Sequence, residues 1–243
     1  MSASIKHACE INDVVLNWKK IKKFINSAKT GNEANGRDRA YTDKEILKLL
    51  GFCDQRVKTI FLILASTGMR TGALRSLRIR DLKRIDELYK LTVYSGDKGD
   101  EYFTFCTPEC AREIDTYLDF RKRNGEKLTG DSYLLTKRFD TSVRIEGFTG
   151  KPFRKDSIPT MLEDFIRNSG LRTVDYDNPH KRKEVPILHG FRKFFTTQLV
   201  NSKLNPEIRE MLLGHKTRTA IFAIAITILA ISNLFVINSF CCI

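Results

Sequence analysis

Two histidines and an arginine stand close together between residues 189 and 215. They lie in the strings H-G-F-R-K-F-F-T-T-Q-L and E-M-L-L-G-H, as His189, Arg192 and His215. An arginine flanked by two proton-transfer groups suits phosphoryl transfer. Its planar, permanently charged fork meets two phosphate oxygens at once. Donors held on those oxygens bind the transition state more tightly than the ground state. Imidazole exchanges protons near neutral pH. Far upstream, T-G-M-R-T-G-A-L (Thr67 to Leu74) supplies a second arginine, Arg70.

These residues need elements to hold them. Thr42, Asp43, Lys44 and Glu45 form a capping-box string ahead of Ile46, Leu49 and Leu50. A helix apolar all round runs from Asp54 and stops at Gly68, so it is expected to be buried. Arg70 then falls at a helix junction, anchored by core packing and facing a surface cleft. Leu91–Ser95 and Tyr102–Cys106 are β-rich and are separated by G-D-K-G-D, which is hairpin chemistry with Lys98 at its tip. Tyr94 and Tyr102 read as strand partners.

Further along, Thr107 and Pro108 open a helix that closes at Asn124 and Gly125. Others fit Pro159–Asn168, the segment opened by His189, and Asn205–Gly214, with Phe191, Phe194, Phe195 and Leu199 facing inward. The expected fold class is α+β, mainly α, with a small antiparallel β-hairpin or sheet. No internal repeat, glycine-rich phosphate loop or βαβ run is present.

Lys and Arg number 42 against 29 Asp and Glu, a formal charge of +13 over 243 residues. An excess this large is the footprint of a polyanionic partner. Near the N-terminus, Ile11, Val14, Val15, Trp18, Ile21 and Ile25 recur at helical spacing, opposite Lys19, Lys20, Lys22 and Lys23. That basic face suits either solvent or DNA. Arg121, Lys122 and Arg123, and Lys181, Arg182 and Lys183, form two further basic clusters. Residues 30–39 are polar and Gly/Asn-containing, as in a linker. Six cysteines occur without a C-x-x-C pair, so no metal site is expected, and a reducing cytoplasm is the simplest compartment. The first ten residues hold no apolar core of a secretory signal.

Together, S-T-G-M-R-T-G-A-L, the hairpin lysine, H-G-F-R and E-M-L-L-G-H resemble the tyrosine recombinase (phage-type integrase) family, and their wording is most similar to its archaeal branch. The resemblance covers residues 40 to 216. It implies a tyrosine-recombinase-like catalytic domain and double-stranded DNA as partner, with a homo-oligomer assembled on it. It implies cleavage and rejoining of DNA strands through a 3′-phosphotyrosine, without cofactor or metal. Arg70 and Arg192 match the two phosphate-clamping arginines. Lys98 matches the general acid for the leaving 5′ oxygen, His189 the histidine paired with the second arginine, and His215 the histidine that supports phosphate and nucleophile.

The chain departs from that pattern at both ends. Only about one helix and a linker, residues 1–36, stand where the family carries a core-binding domain. The catalytic unit is expected over 37–218. The nucleophilic tyrosine should follow His215, yet the last of seven tyrosines is Tyr176. Every charged residue also ends at Arg218, leaving residues 219–243 uncharged. A frameshift, a membrane segment over 220–237 and a packed helix each account for that tail. An impaired recombinase is therefore expected, with a non-catalytic DNA-binding regulator as the alternative.

Overall fold

The computed structural model describes residues 39–138, 146–154, 157–171, 185 and 187–215, and, toward the N-terminus, 7, 9, 11–17 and 20. The chain divides into two compact units, Met1–Arg37 and Asp38–Ile243.

In the first unit the single helix read from residues 11–25 is interrupted. Val14 N–H bonds to Cys9 O at 2.9 Å, and Asp13 between them has φ 53°. That is a left-handed helix stop, which aspartate tolerates better than most residues. Residues 14–17 are not helical, and Val15 is exposed. Asn17 then caps a new start, its Oδ1 accepting Lys20 N–H at 3.0 Å. The apolar periodicity ran on across a break that depends on these two short polar side chains.

The second unit is mainly helical. Its elements are α1 (Asp43–Gly51), α2 (Gln55–Thr67), α3 (Thr71–Leu74), β1 (Leu82–Ile85), β2 (Leu88–Val93), β3 (Tyr102–Phe105), α4 (Pro108–Arg123), α5 (Ser157–Asn168), α6 (His189–Asn201) and α7 (Pro206–Leu212). The caps follow the sequence. Thr42 and Glu45 form the capping box of α1, and Asp54, Thr107 and Asn205 each accept a first-turn N–H. α2 is buried along nearly its whole length and packs against α4 and α6. Around it lies the main core, including Ile46, Ile60, Phe61, Ile63, Leu64, Ile114, Leu162 and Phe191.

The sheet is antiparallel, in the order β1-β2-β3. Leu82 faces Leu91, Lys90 faces Phe105 and Val93 faces Tyr102. The expected hairpin is thus β2 and β3, and β1 is an additional edge strand. Its sequence, L-K-R-I, buries no residue fully, so it carries little periodic signal. Beside β3, a second apolar cluster joins Phe105 to Phe195, Leu199, Leu204, Leu212 and Leu213. It ties α6 and α7 to the sheet.

One surface expectation is overturned. Arg121 is fully buried. Its fork binds both Glu126 oxygens at 2.7 and 2.6 Å, and its Nη1 donates to Tyr133 O and Leu134 O. The guanidinium pins the chain after α4 to the loop at 133–134, and is out of reach of DNA. Lys122 and Arg123 remain exposed. Lys19, Lys22, Lys23, Lys181, Arg182 and Lys183 lie outside the described residues, as does the uncharged tail. Among the described residues no helix is long and apolar enough to cross a membrane.

Removing one partner of a buried ion pair strands the other charge. Glu126→Ala is therefore expected to lower unfolding free energy by about 3–5 kcal/mol in urea titration. Lys122→Ala, on the solvent side of the same helix, should change it by no more than about 0.5 kcal/mol.

Candidate functional site

The string T-G-M-R works as a helix stop that turns one arginine outward. Gly68 closes α2 in the left-handed region at φ 59°, its N–H on Leu64 O. A Cβ there would lie 2.5 Å from the Phe195 ring, so glycine is required by both backbone and packing. Met69 is buried. Arg70 is extended, at φ −70° and ψ 140°, and caps α3 without using its side chain. It is exposed rather than held in the core.

α6 begins at His189, which is exposed. Gly190 permits close approach of Tyr41, whose Cε2 would be 2.7 Å from a Cβ at 190. Tyr41 lies tilted against Phe191 at 4.6 Å between ring centres, and Phe61 stacks on it at 5.2 Å. Phe191, Phe194 and Phe195 thus fix the rotation of α6 about its axis. One turn after His189, Arg192 shares its face of the helix and is half-buried.

L-L-G-H is a Schellman helix end. Gly214, at φ 71°, donates to Met211 O at 3.0 Å, and His215 N–H donates to Glu210 O at 2.9 Å. This return lays the His215 ring beside Glu210, whose Oε2 meets Nδ1.

Arg192 joins the three motifs. Its Nη1 donates to Gly68 O at 2.9 Å, and its Nη2 to Leu213 O at 2.6 Å. Nη2 also lies 3.1 Å from His215 Nε2. A guanidinium only donates, so Nε2 accepts, and the ring proton sits on Nδ1, directed at the Glu210 carboxylate. Of the five N–H groups on Arg192, one on Nη1 and that on Nε have no acceptor among the described residues. Burial, and then the charge of Arg70, pull the Arg192 pKa below its usual value. Two cations placed this close call for an anion between them.

Tyr102 completes the floor. Its ring packs on Gly214, where a Cβ would lie 2.6 Å from Cε1. Its hydroxyl is buried with no hydrogen-bond partner among the described residues. Burial pushes the phenol up to about 12, helped by Tyr94 and opposed by the charges of Arg192 and Arg70. Tyr102 opens β3 as a strand partner should, whereas Tyr94 lies just past β2 in a left-handed conformation, φ 55°.

Of the five expected catalytic residues, Arg192 and His215 are hydrogen-bonded, Arg70 is within electrostatic reach, and His189 is one turn away. Lys98 sits exposed on the loop between β2 and β3, shaped by Gly96 N–H on Glu101 and Gly99 N–H on Asp97. No contact among the described residues joins it to the cluster. Lys20 is exposed in the N-terminal unit. The sequence reading missed Glu210, although it lies five residues before His215 inside the quoted motif, and it missed the carbonyls of Gly68 and Leu213. Among the described residues no group of three or more His, Cys, Asp or Glu could hold a metal ion.

Comparison with known proteins gives three findings. The sequence model of the phage integrase family matches residues 39–222. Transposase A from transposon Tn554 of Staphylococcus aureus is 22% identical over 183 residues, which is 73% of this chain and 45% of the transposase. The chain thus spans less than half the length of that relative. Among solved structures, XerA recombinase superposes with TM-score 0.56 at 21% identity, covering 83% of this chain and 61% of that one. The Tn1549 transposon integrase, solved with a circular intermediate DNA, gives 0.54 at 17% identity, covering 79% and 65%. At these identities the likeness is one of fold.

Folded Tyr102 keeps its proton to about pH 12, whereas a free phenol releases it near 10.0. Between those values the unfolded chain binds fewer protons, so stability contributed below pH 10 is lost as pH rises toward 12. Tyr102→Phe should therefore show a shallower alkaline loss of urea midpoint than the parent. Coincident alkaline limbs would show that Tyr102 ionises as easily folded as unfolded.

Proposed function

The chain belongs to the phage integrase family, and from that premise we propose that it binds duplex DNA as a site-specific recombinase unit. A backbone phosphate would sit between Arg70 and Arg192. The observation that carries this reading is the fork of Arg192, held by Gly68 O, Leu213 O and His215, with two N–H groups that have no acceptor among the described residues. Two of its acceptors are backbone carbonyls, which orient the fork without a charge of their own. The DNA bound by the Tn1549 integrase is in keeping with it.

In this reading Arg70 and Arg192 take the non-bridging oxygens and stabilise the extra charge of the pentavalent state. His215, braced by Glu210, holds the Arg192 fork in register. His189 lies on the same helix face as a further phosphate ligand. Lys98 delivers the proton to the leaving 5′ oxygen, its loop closing on the DNA. Two arginines and a general acid need no metal for this. Several copies would assemble on one DNA site, in the cytoplasm.

The nucleophile is the missing part. Residues 216–243 hold no tyrosine. Tyr102 is a poor substitute, because its hydroxyl is buried and its proton is held to about 12. We therefore assign the chain duplex binding without a covalent DNA adduct. The same feature favours a second reading, a regulator that occupies an attachment site without cutting it.

Binding to duplex should weaken steeply with salt, as counterion release requires. A nicked suicide substrate should yield no denaturation-resistant adduct; an adduct would refute the impaired reading. Arg192→Ala should weaken binding modestly, lower the salt slope by about 1 and abolish any strand transfer. Full transfer by that variant would show that Arg192 is not the clamp.

A further inference from the structure

Two phenols accompany the arginine pair. Tyr94 and Tyr102 lie where β2 ends and β3 begins, with ring centres 6.4 Å apart and planes tilted by 60°. The Tyr102 hydroxyl is closed in. That of Tyr94 is not. A Cβ placed on Gly72, an exposed residue two positions after Arg70, would lie 3.8 Å from the Tyr94 hydroxyl. Beyond the chain neighbours and backbone of its own helix, no other described atom comes within 4 Å of that point. The hydroxyl therefore borders open space beside Arg70, and it makes no hydrogen bond among the described residues.

The backbone is bent to put it there. The strand ladder ends at Val93, and Tyr94 follows in the left-handed region at φ 55°. A bulky side chain adopts that conformation at a cost, and such residues gather at functional sites. The bend carries the Tyr94 ring across to α3. There it shares one electrostatic neighbourhood with the clamp. Arg192 feels Tyr102, Tyr94 and the charge of Arg70, and Tyr102 in turn feels Arg192 and Arg70.

We propose that Tyr94 is a phosphate ligand, its hydroxyl donating to a non-bridging oxygen of the backbone phosphate between Arg70 and Arg192. The inference rests on that reading of the clamp and adds one contact to it. A phenol suits the position because it is a neutral donor. It supplies a directed bond to an anionic oxygen without a third cation beside two guanidiniums. No covalent bond is made, and the phenol keeps its proton.

The test uses the full chain and a fluorescein-labelled duplex of mixed sequence. Anisotropy over a salt series reads affinity and salt slope, and the Tyr94 Cζ resonance, assigned through the backbone, reads the contact. That resonance should move on adding duplex. Tyr94→Phe should weaken binding by about five- to tenfold, the worth of one net hydrogen bond. It should leave the salt slope unchanged, since a neutral donor displaces no counterion. Loss of an arginine contact would lower that slope by about 1. Parent-like affinity of Tyr94→Phe would overturn the inference, and so would an unmoved resonance. A lowered slope would overturn it too, by showing that the substitution had displaced an arginine. Each of these outcomes leaves duplex binding by the parent intact, whereas a parent that binds no duplex defeats the clamp and the inference together. Circular dichroism checks folding. If Tyr94→Phe does not fold, the resonance decides: it should move with duplex in the parent and stay still in Arg192→Ala, and equal movement in both would overturn the inference.

Discussion

The half-buried guanidinium of Arg192 is the constraint around which the catalytic unit is arranged. A charge withdrawn from water must find acceptors, or its desolvation is uncompensated. Here they come from two chain turns far apart in sequence, at Gly68 and Leu213, and from His215. Both carbonyls are free to accept because their turns leave the regular helix there. α2 ends on a left-handed glycine and α7 ends in a Schellman return. The helix ends are therefore part of the site, and shifting either turn would withdraw an acceptor from the arginine.

Packing sets the reach of that fork. Gly68 lies under Phe195, Gly214 under Tyr102, and Gly190 under Tyr41, each closer than a Cβ would allow. Three backbone segments thereby approach aromatic rings on neighbouring elements. Phe195 also belongs to the small cluster that holds α7 against β3. The sheet, α6 and α7 are locked together by the same contacts that bring His215 beside Arg192.

Local chemistry was legible wherever it is self-contained. The caps at Thr42, Asp54, Thr107 and Asn205 and the stops at Gly68 and Gly214 involve neighbours within a few residues, so their strings read directly. β1 was not legible, because a four-residue edge strand with two central charges has no face to show. Arg121 was misread as part of a basic cluster. Its spacing from Ile114 and Tyr117 places it on the inward stripe of α4, and Glu126 five residues on supplies its partner. The clamp's residue types and order were visible, but its geometry was not. Carbonyl acceptors carry no side-chain signature, and Tyr102 reaches the site only through strand register.

Three arginines withdrawn from solvent separate by what receives their hydrogen bonds. Arg121 has a carboxylate and two carbonyls, all internal, so its charge is neutralised and its directions are filled. That is a structural fastening with nothing left to offer. Arg192 has two carbonyls and the His215 ring, which orient the fork. Arg56 is loosely paired with Asp54, Nη2 to Oδ2 at 3.7 Å, and its buried Nε has no hydrogen-bond partner among the described residues. Since every guanidinium carries the same charge and donor set, the acceptors around it decide its role. An anionic acceptor fastens the chain, and backbone carbonyls aim the charge at a ligand.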